Sequence, residues 1–275
     1  MINDLTLFDC TIREAGYQTG WFFDTKFAHD MYSFAQGKGI DYLELGFFHD
    51  QEADPNRGIY RYCSQKNDEI NRVFDSIKGR TKLSAMRDIQ RPLSELIPKK
   101  ESVIDAIRII NRSHENNFEQ LEKEVDNIRN NGYEAFVNFT SAGYNDEKMT
   151  IEFAKFSKKI GLDIIYFADT ESVFTPEFVS KTIDICKAEG IEAGMHLHDK
   201  NGTAEMLLEV AINKGCKYTD ATLLGLGGKW HDGNLTIEHM LRRFGLNGGY
   251  ELTQLKTDLV QQLIKYNKHS TAILD

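Results

Sequence analysis

The chain has 275 residues, 41 % of them hydrophobic, and a formal charge of −9. This length can bury one large core, as α/β barrels of similar size do, and the acidic balance would repel a phosphate backbone, so nucleic acid is not an expected partner. No stretch approaches the roughly 18 apolar residues that span a bilayer, and the opening MINDLTLFDCT has no basic region before an apolar run, so a cytoplasmic protein without membrane contact is expected.

Short β-branched or aromatic runs alternate with amphipathic segments along the chain, the pattern of βα units and a parallel sheet. The strand candidates are Leu5–Cys10, Tyr42–Gly46, Lys82–Met86, Ala106–Ile110, Ala135–Thr140, Ile164–Ala168, Ala193–His198 and Tyr218–Leu223. That is the closing number of a (β/α)₈ TIM barrel. His49–Gln65, after the second strand, is long for a βα loop and reads as a lid or specificity loop. Arg91–Lys100 leaves room for only a short helix. Phe118–Asn130, Lys148–Ile160, Pro176–Glu189 and Ala204–Lys214 place apolar residues three and four apart, as wall helices require, with Pro176 at a helix start. Leu252–Asn267 is an extra C-terminal helix. With no linker or composition shift, one catalytic domain over 1–275 is expected, its barrel covering about 3–246 and a helical extension about 250–268. Cysteines 10, 63, 186 and 216 form no C-x-x-C pair, which fits reduced thiols.

Three stretches carry chemistry. His196 and His198 stand two apart on a strand, so their side chains share a face and could bind one ion, or they could be two hydrogen-bonded core histidines. Asp9 to Tyr17 crowds charge where a first barrel strand delivers its groups. There Glu14 offers a carboxylate and Arg13 a forked cation, or the two form a surface ion pair. Gly225 to Asn234 is a glycine-rich loop leading into a helix, either a phosphate-binding turn or a flexible connection.

In this order, and from Leu5 to about Phe244, the stretches resemble the DRE-TIM metallolyases, which include hydroxymethylglutaryl-CoA lyase, isopropylmalate and homocitrate synthases and 4-hydroxy-2-oxovalerate aldolase. The strand-one motif of that superfamily, D-x-T-x-R followed by an acid, falls on Asp9, Thr11, Arg13 and Glu14. The resemblance implies Glu14, His196, His198 and Asn234 as metal ligands and Arg13 as the arginine that stabilises an enolate. Glu44 and Asp169-Thr170 match recurring positions, and Glu44 is expected to touch substrate or support a group that does. The implied cofactor is a divalent ion, Mn²⁺ or Mg²⁺ before Co²⁺ or Zn²⁺, since no thiolate selects zinc.

Departures narrow the expectation. Lys229 stands where hydroxymethylglutaryl-CoA lyases carry cysteine, and Tyr17 where the synthases have glutamine and the aldolases histidine. Glu14 replaces the usual aspartate, as in homocitrate synthases. The chain ends soon after the barrel, so a free-standing barrel is expected. The implied activity is a metal-dependent aldolase that makes or breaks a carbon–carbon bond beside a 2-oxo acid such as pyruvate, with an aldehyde as second substrate. Tyr17, His231 and a water on the ion are the acid–base candidates, and Tyr17 could instead be a packing aromatic. Arg87 and Arg108 are candidates for a second anionic group or ordinary ion-pair partners. The alternatives are an acyl-CoA-dependent synthase and a non-catalytic metal-binding barrel subunit. The resemblance also suggests a dimer or larger homo-oligomer.

Overall fold

The computed structural model describes residues 5–63, 68–227 and 233–270. Eight parallel strands close into a barrel in sequence order: β1 Thr6–Asp9, β2 Tyr42–Phe47, β3 Lys82–Asp88, β4 Ala106–Arg112, β5 Glu134–Thr140, β6 Ile164–Ala168, β7 Glu192–His196 and β8 Tyr218–Ala221. β1 pairs with β8 from Thr6↔Tyr218 to Asp9↔Ala221, which closes the ring. The helices are α1 Thr11–Thr19, α2 Thr25–Lys38, α3 Glu69–Phe74, α4 Phe118–Asn130, α5 Glu147–Lys159, α6 Pro176–Ala188, α7 Ala204–Asn213, α8 Ile237–Arg243 and α9 Gly249–Tyr266. This is a TIM barrel. No helix among the described residues is long and apolar enough to cross a membrane.

The wall helices form where their apolar stripes and caps agree. In α6, Thr175 caps the first turn by accepting from Phe178 N, Pro176 opens the helix, and Val179, Thr182, Ile183 and Cys186 recur three and four apart on the buried side. Burying an apolar side chain of this size contributes about 1.5–3 kcal/mol. The main core lies between these helices and the outer face of the sheet. A second, smaller cluster of Phe8, Tyr42, Phe136, Ile164 and Tyr166 plugs the inside of the barrel towards the N-terminal ends of the strands. Above that plug the barrel interior turns polar and charged.

Two local expectations change. The segment after β3 forms no helix except a short 3₁₀ turn at Lys99–Glu101, because Pro92 and Pro98 remove amide donors and Leu93 instead bridges to His49. β7 ends at His196 rather than His198. His198 lies just past the strand, in an isolated antiparallel bridge with Asn234.

Candidate active site and metal centre

β1 runs directly into α1, with Cys10 between them, so Arg13 and Glu14 sit in the first turn of a buried helix and not in a loop. Helix α1 stays in place because Trp21 packs across it, donating from Nε1 to Arg13 O at 3.2 Å. A methyl group at Gly16 would sit 2.1 Å from Trp21 Nε1, so the glycine after Glu14-Ala15 is required by the indole. Arg13 is thereby held at the mouth. Its Nε donates to Glu44 Oε1 at 2.8 Å, its Nη1 to Glu14 Oε1, and its Nη2 is buried without a partner among the described residues.

Glu14, His196 and His198 converge from α1, the end of β7 and the residue pair beyond it. One ligand atom from each lies within 4.8 Å of the others, and all three side chains are buried. His196 Nε2 is 3.4 Å from Glu14 Oε1. Burial alone would raise the Glu14 carboxyl, but Arg13 and the two histidines hold it well below the usual carboxylate range. Burial, and then His196, push His198 down to about 3, so its imidazole is neutral and able to ligate.

Asn234 lies beside this cluster, in an isolated bridge with His198. Its Nδ2 donates to Leu226 O at 3.2 Å, while its Oδ1, like His198 Nδ1, is buried with no hydrogen-bond partner among the described residues. A methyl group on Gly227 would lie 2.4 Å from Asn234 Nδ2 and 2.7 Å from Glu14 Oε2, so Asn234 and Glu14 share the space that Gly227 leaves open. A carboxylate, two imidazoles and an amide oxygen suit a divalent cation, and the two unpartnered buried acceptors are what such an ion would satisfy. The residues fit the group.

Below the cluster lies an ion-pair network that the sequence did not announce. Arg108 is fully buried; its Nε and Nη2 reach Glu44 at 2.9 and 2.7 Å and its Nη1 reaches Asp220 Oδ2 at 2.5 Å. The guanidinium carbon is 4.9 Å from both the Phe8 and Tyr166 rings. Asp220 Oδ2 is also 2.8 Å from His196 Nδ1. Glu44, expected to touch substrate or to support a group that does, is fully buried with its carboxylate on Arg13 and Arg108, the supporting arrangement of the two. Arg108 binds carboxylates of the chain itself. Arg87 points the other way, to Glu124 on α4 at 2.5 Å, because successive residues of β3 alternate faces and Met86 and Asp88 take the inner one.

The cluster opens into a cavity of about 420 Å³ at the C-terminal mouth, the end where barrel enzymes carry their sites. Tyr17 lines it, half-buried, edge-on to Trp21 at 5.1 Å, its phenol pushed up by burial and by Glu14. The loop after β2 contributes Asp54, Arg57 and Arg61, so its described part does cover the mouth. His231 lies outside the described residues. A second cavity, about 480 Å³, opens at the opposite end of the barrel between Tyr42, Glu134 and Tyr218 and holds none of the cluster.

Sequence reasoning missed Asp220, Arg61, Arg91 and Arg112. The signal for Asp220 was an acid in the middle of a barrel strand; that for the arginines was their place at strand ends and in the long loop.

Comparison with known proteins agrees with this architecture. The chain is similar to an oxaloacetate decarboxylase of Mycobacterium tuberculosis, at 21 % identity over 220 residues, covering 80 % of this chain and 64 % of that protein. It is also similar to a 4-hydroxy-2-oxovalerate aldolase of Carboxydothermus hydrogenoformans, at 28 % identity over 127 residues, covering 46 % of this chain and 38 % of that one. It thus spans less than two thirds of the length of either. The N-terminal domain of a Bacteroides vulgatus protein superposes with a TM-score of 0.78 over 98 % of this chain and 92 % of that one, at 23 % identity, which speaks for the fold alone. The profile of the HMGL-like family matches residues 4–265, and the chain belongs to that family, the DRE-TIM metallolyases its motifs resemble.

Proposed function

We propose that this barrel is a divalent-metal-dependent aldolase that cleaves or forms the carbon–carbon bond beside a 2-oxo acid of the pyruvate type. The observation that carries the reading is the convergence of Glu14, His196 and His198 within 4.8 Å, with His198 Nδ1 and Asn234 Oδ1 lacking a hydrogen-bond partner among the described residues and Arg13 alongside. When bound, the ion supplies a Lewis acid for the carbonyl and carboxylate oxygens of the oxo acid. Glu14, His196, His198 and Asn234 would hold it.

In cleavage of a 4-hydroxy-2-oxo acid, a base takes the proton of the 4-hydroxyl, the C3–C4 bond breaks, the aldehyde leaves and the electron pair moves through C3 to the C2 oxygen as an enolate. Arg13 Nη2 has its donor free for that oxygen; a fixed donor of this kind lowers a barrier by about 3 kcal/mol. Tyr17, kept protonated at neutral pH, can return a proton to C3, with His231 as the alternative acid–base group. Glu44 acts through Arg13 as a positioning residue.

The test is release of pyruvate from 4-hydroxy-2-oxopentanoate, followed by coupled reduction, with Mn²⁺ or Mg²⁺ and again with chelator. Metal-dependent release that Glu14→Gln abolishes supports the reading. The second reading, condensation of an acyl-CoA with a 2-oxo acid, rests on Glu14, the residue homocitrate synthases carry at this position. Free thiol released from acetyl-CoA without any aldol cleavage would favour it.

A further inference from the structure

The cavity above the cluster is basic in a chain that is acidic overall. Its charged lining comprises Arg13, Arg57, Arg61, Arg91 and Arg112 against Glu14, Asp54 and Asp88, while the whole chain carries −9. Arg13 and Glu14 pair with each other. That leaves four arginines facing two aspartates, each aspartate shared by two of them. Asp54 accepts from Arg57 Nε at 3.2 Å and Arg61 Nε at 2.6 Å, and Asp88 from Arg91 Nε at 3.1 Å and Arg112 Nη2 at 2.6 Å. Because Arg57, Arg61 and Arg91 spend only Nε on these bonds, their terminal nitrogens have no hydrogen-bond acceptor among the described residues. Glu115 approaches only Arg112 Nη1, at 3.5 Å.

The position of this wall is as informative as its charge. Asp54, Arg57 and Arg61 follow β2, Asp88 and Arg91 come from the end of β3 and just beyond it, and Arg112 ends β4. The metal cluster comes from α1 directly after β1, from the end of β7 and the residues just beyond it, and from the loop after β8. In a closed ring of eight, β3 and β4 stand opposite β7 and β8. Arg91 and Arg112 thus lie across the mouth from His196, His198 and Asn234, while Arg61, on the β2 side next to β1, is fixed by stacking at 4.1 Å on Trp21 and 4.6 Å on Phe47.

We infer that the arginine wall binds an anionic group at the far end of the substrate from its 2-oxo acid head, a phosphate monoester or a terminal carboxylate on the aldehyde side of the bond. Planar guanidinium forks with uncommitted terminal donors suit either group, and the net positive charge of the lining favours an anion. This rests on the aldolase reading for what the head is, but the wall can be tested alone.

The test is calorimetric titration of glycerol 3-phosphate, and separately of succinate, into the full-length chain at low salt, for the wild type and for Arg91→Gln/Arg112→Gln. These side chains are 50 % and 25 % exposed, so the variant is expected to fold; Arg57→Gln, with its side chain 27 % exposed, is the second variant. Binding of either probe that weakens at least tenfold in both variants and with added salt supports the assignment, and the tighter probe identifies the group. Binding of neither probe, or equal affinity in wild type and variants, overturns it. Anion binding without enolate chemistry on pyruvate would keep the wall and discard the aldolase reading; enolate chemistry without anion binding would do the reverse.

Discussion

Asp220 Oδ2 lies 2.8 Å from His196 Nδ1 and 2.5 Å from Arg108 Nη1, so one buried carboxylate orients a metal-facing imidazole and neutralises the guanidinium beneath it. The pairing places the proton of His196 on Nδ1 and leaves Nε2 facing Glu14, the tautomer a ligand needs. Asp220→Asn should weaken Mn²⁺ binding about 10- to 100-fold. The tautomer of His196, read by nitrogen NMR, should shift with it. Unchanged affinity with an unchanged tautomer would make Asp220 merely a partner of Arg108.

Arg108 holds Glu44 and Asp220 together with almost no solvent to share the charge. Arg108→Met leaves Glu44 with Arg13 and Asp220 with His196 as their remaining partners, and breaking a buried pair in this way costs about 3–5 kcal/mol. Urea unfolding in the presence of chelator measures it. A loss within about 0.5 kcal/mol, the range of an ordinary surface change, would contradict the network.

Gly227 has φ of 138°, and a methyl group there would meet both Asn234 and Glu14. Gly227→Ala should therefore reduce metal occupancy at least tenfold, assayed by elemental analysis after gel filtration, while the circular dichroism of the barrel stays native. Full occupancy in the variant would remove Asn234 from the proposed ligand set.

Asp9 supplies the pH dependence. Its Oδ1 accepts from Thr11 N and Oγ1, its Oδ2 has no hydrogen-bond partner among the described residues, and burial raises its pKa from 3.8 to about 6. The folded state thus holds the proton more tightly than the unfolded chain. That contribution to stability is fully present below pH 3.8 and is lost as pH rises through about 6, a change of up to about 3 kcal/mol. Asparagine keeps the acceptor for Thr11 and replaces the unpartnered oxygen with an amide. Against Asp9→Asn, the wild type should lose stability between about pH 4 and about pH 7 with chelator present; parallel profiles for the two proteins would sink the assignment.

Much of this was legible in the sequence, for identifiable reasons. Strand cores such as Ile164–Ala168 are continuous apolar runs, and barrel strands buried on both faces read that way. The cluster residues were legible because H-x-H and D-x-T-x-R have fixed spacing. What spacing could not give was parity and distance. Arg87 and Arg108 look alike in a strand-end list, yet one faces α4 and the other the barrel axis. Asp220 pairs with Arg108 across 112 residues, a relation that no local pattern carries. The helical placement of Arg13 and Glu14 was not legible either: Gly16 in the middle of α1 lowers helix propensity, and Trp21, from beyond the helix, occupies the space its missing side chain leaves.

The most direct test of the central claim is hydrogen–deuterium exchange into the methyl group of pyruvate, followed by proton NMR in D₂O with Mn²⁺ or Mg²⁺, since it needs no knowledge of the aldehyde. The account predicts exchange that disappears with chelator and falls at least about 100-fold in Glu14→Gln and Arg13→Gln. Exchange that persists in both variants, or none in the wild type with either metal, would contradict enolate chemistry on pyruvate at this cluster.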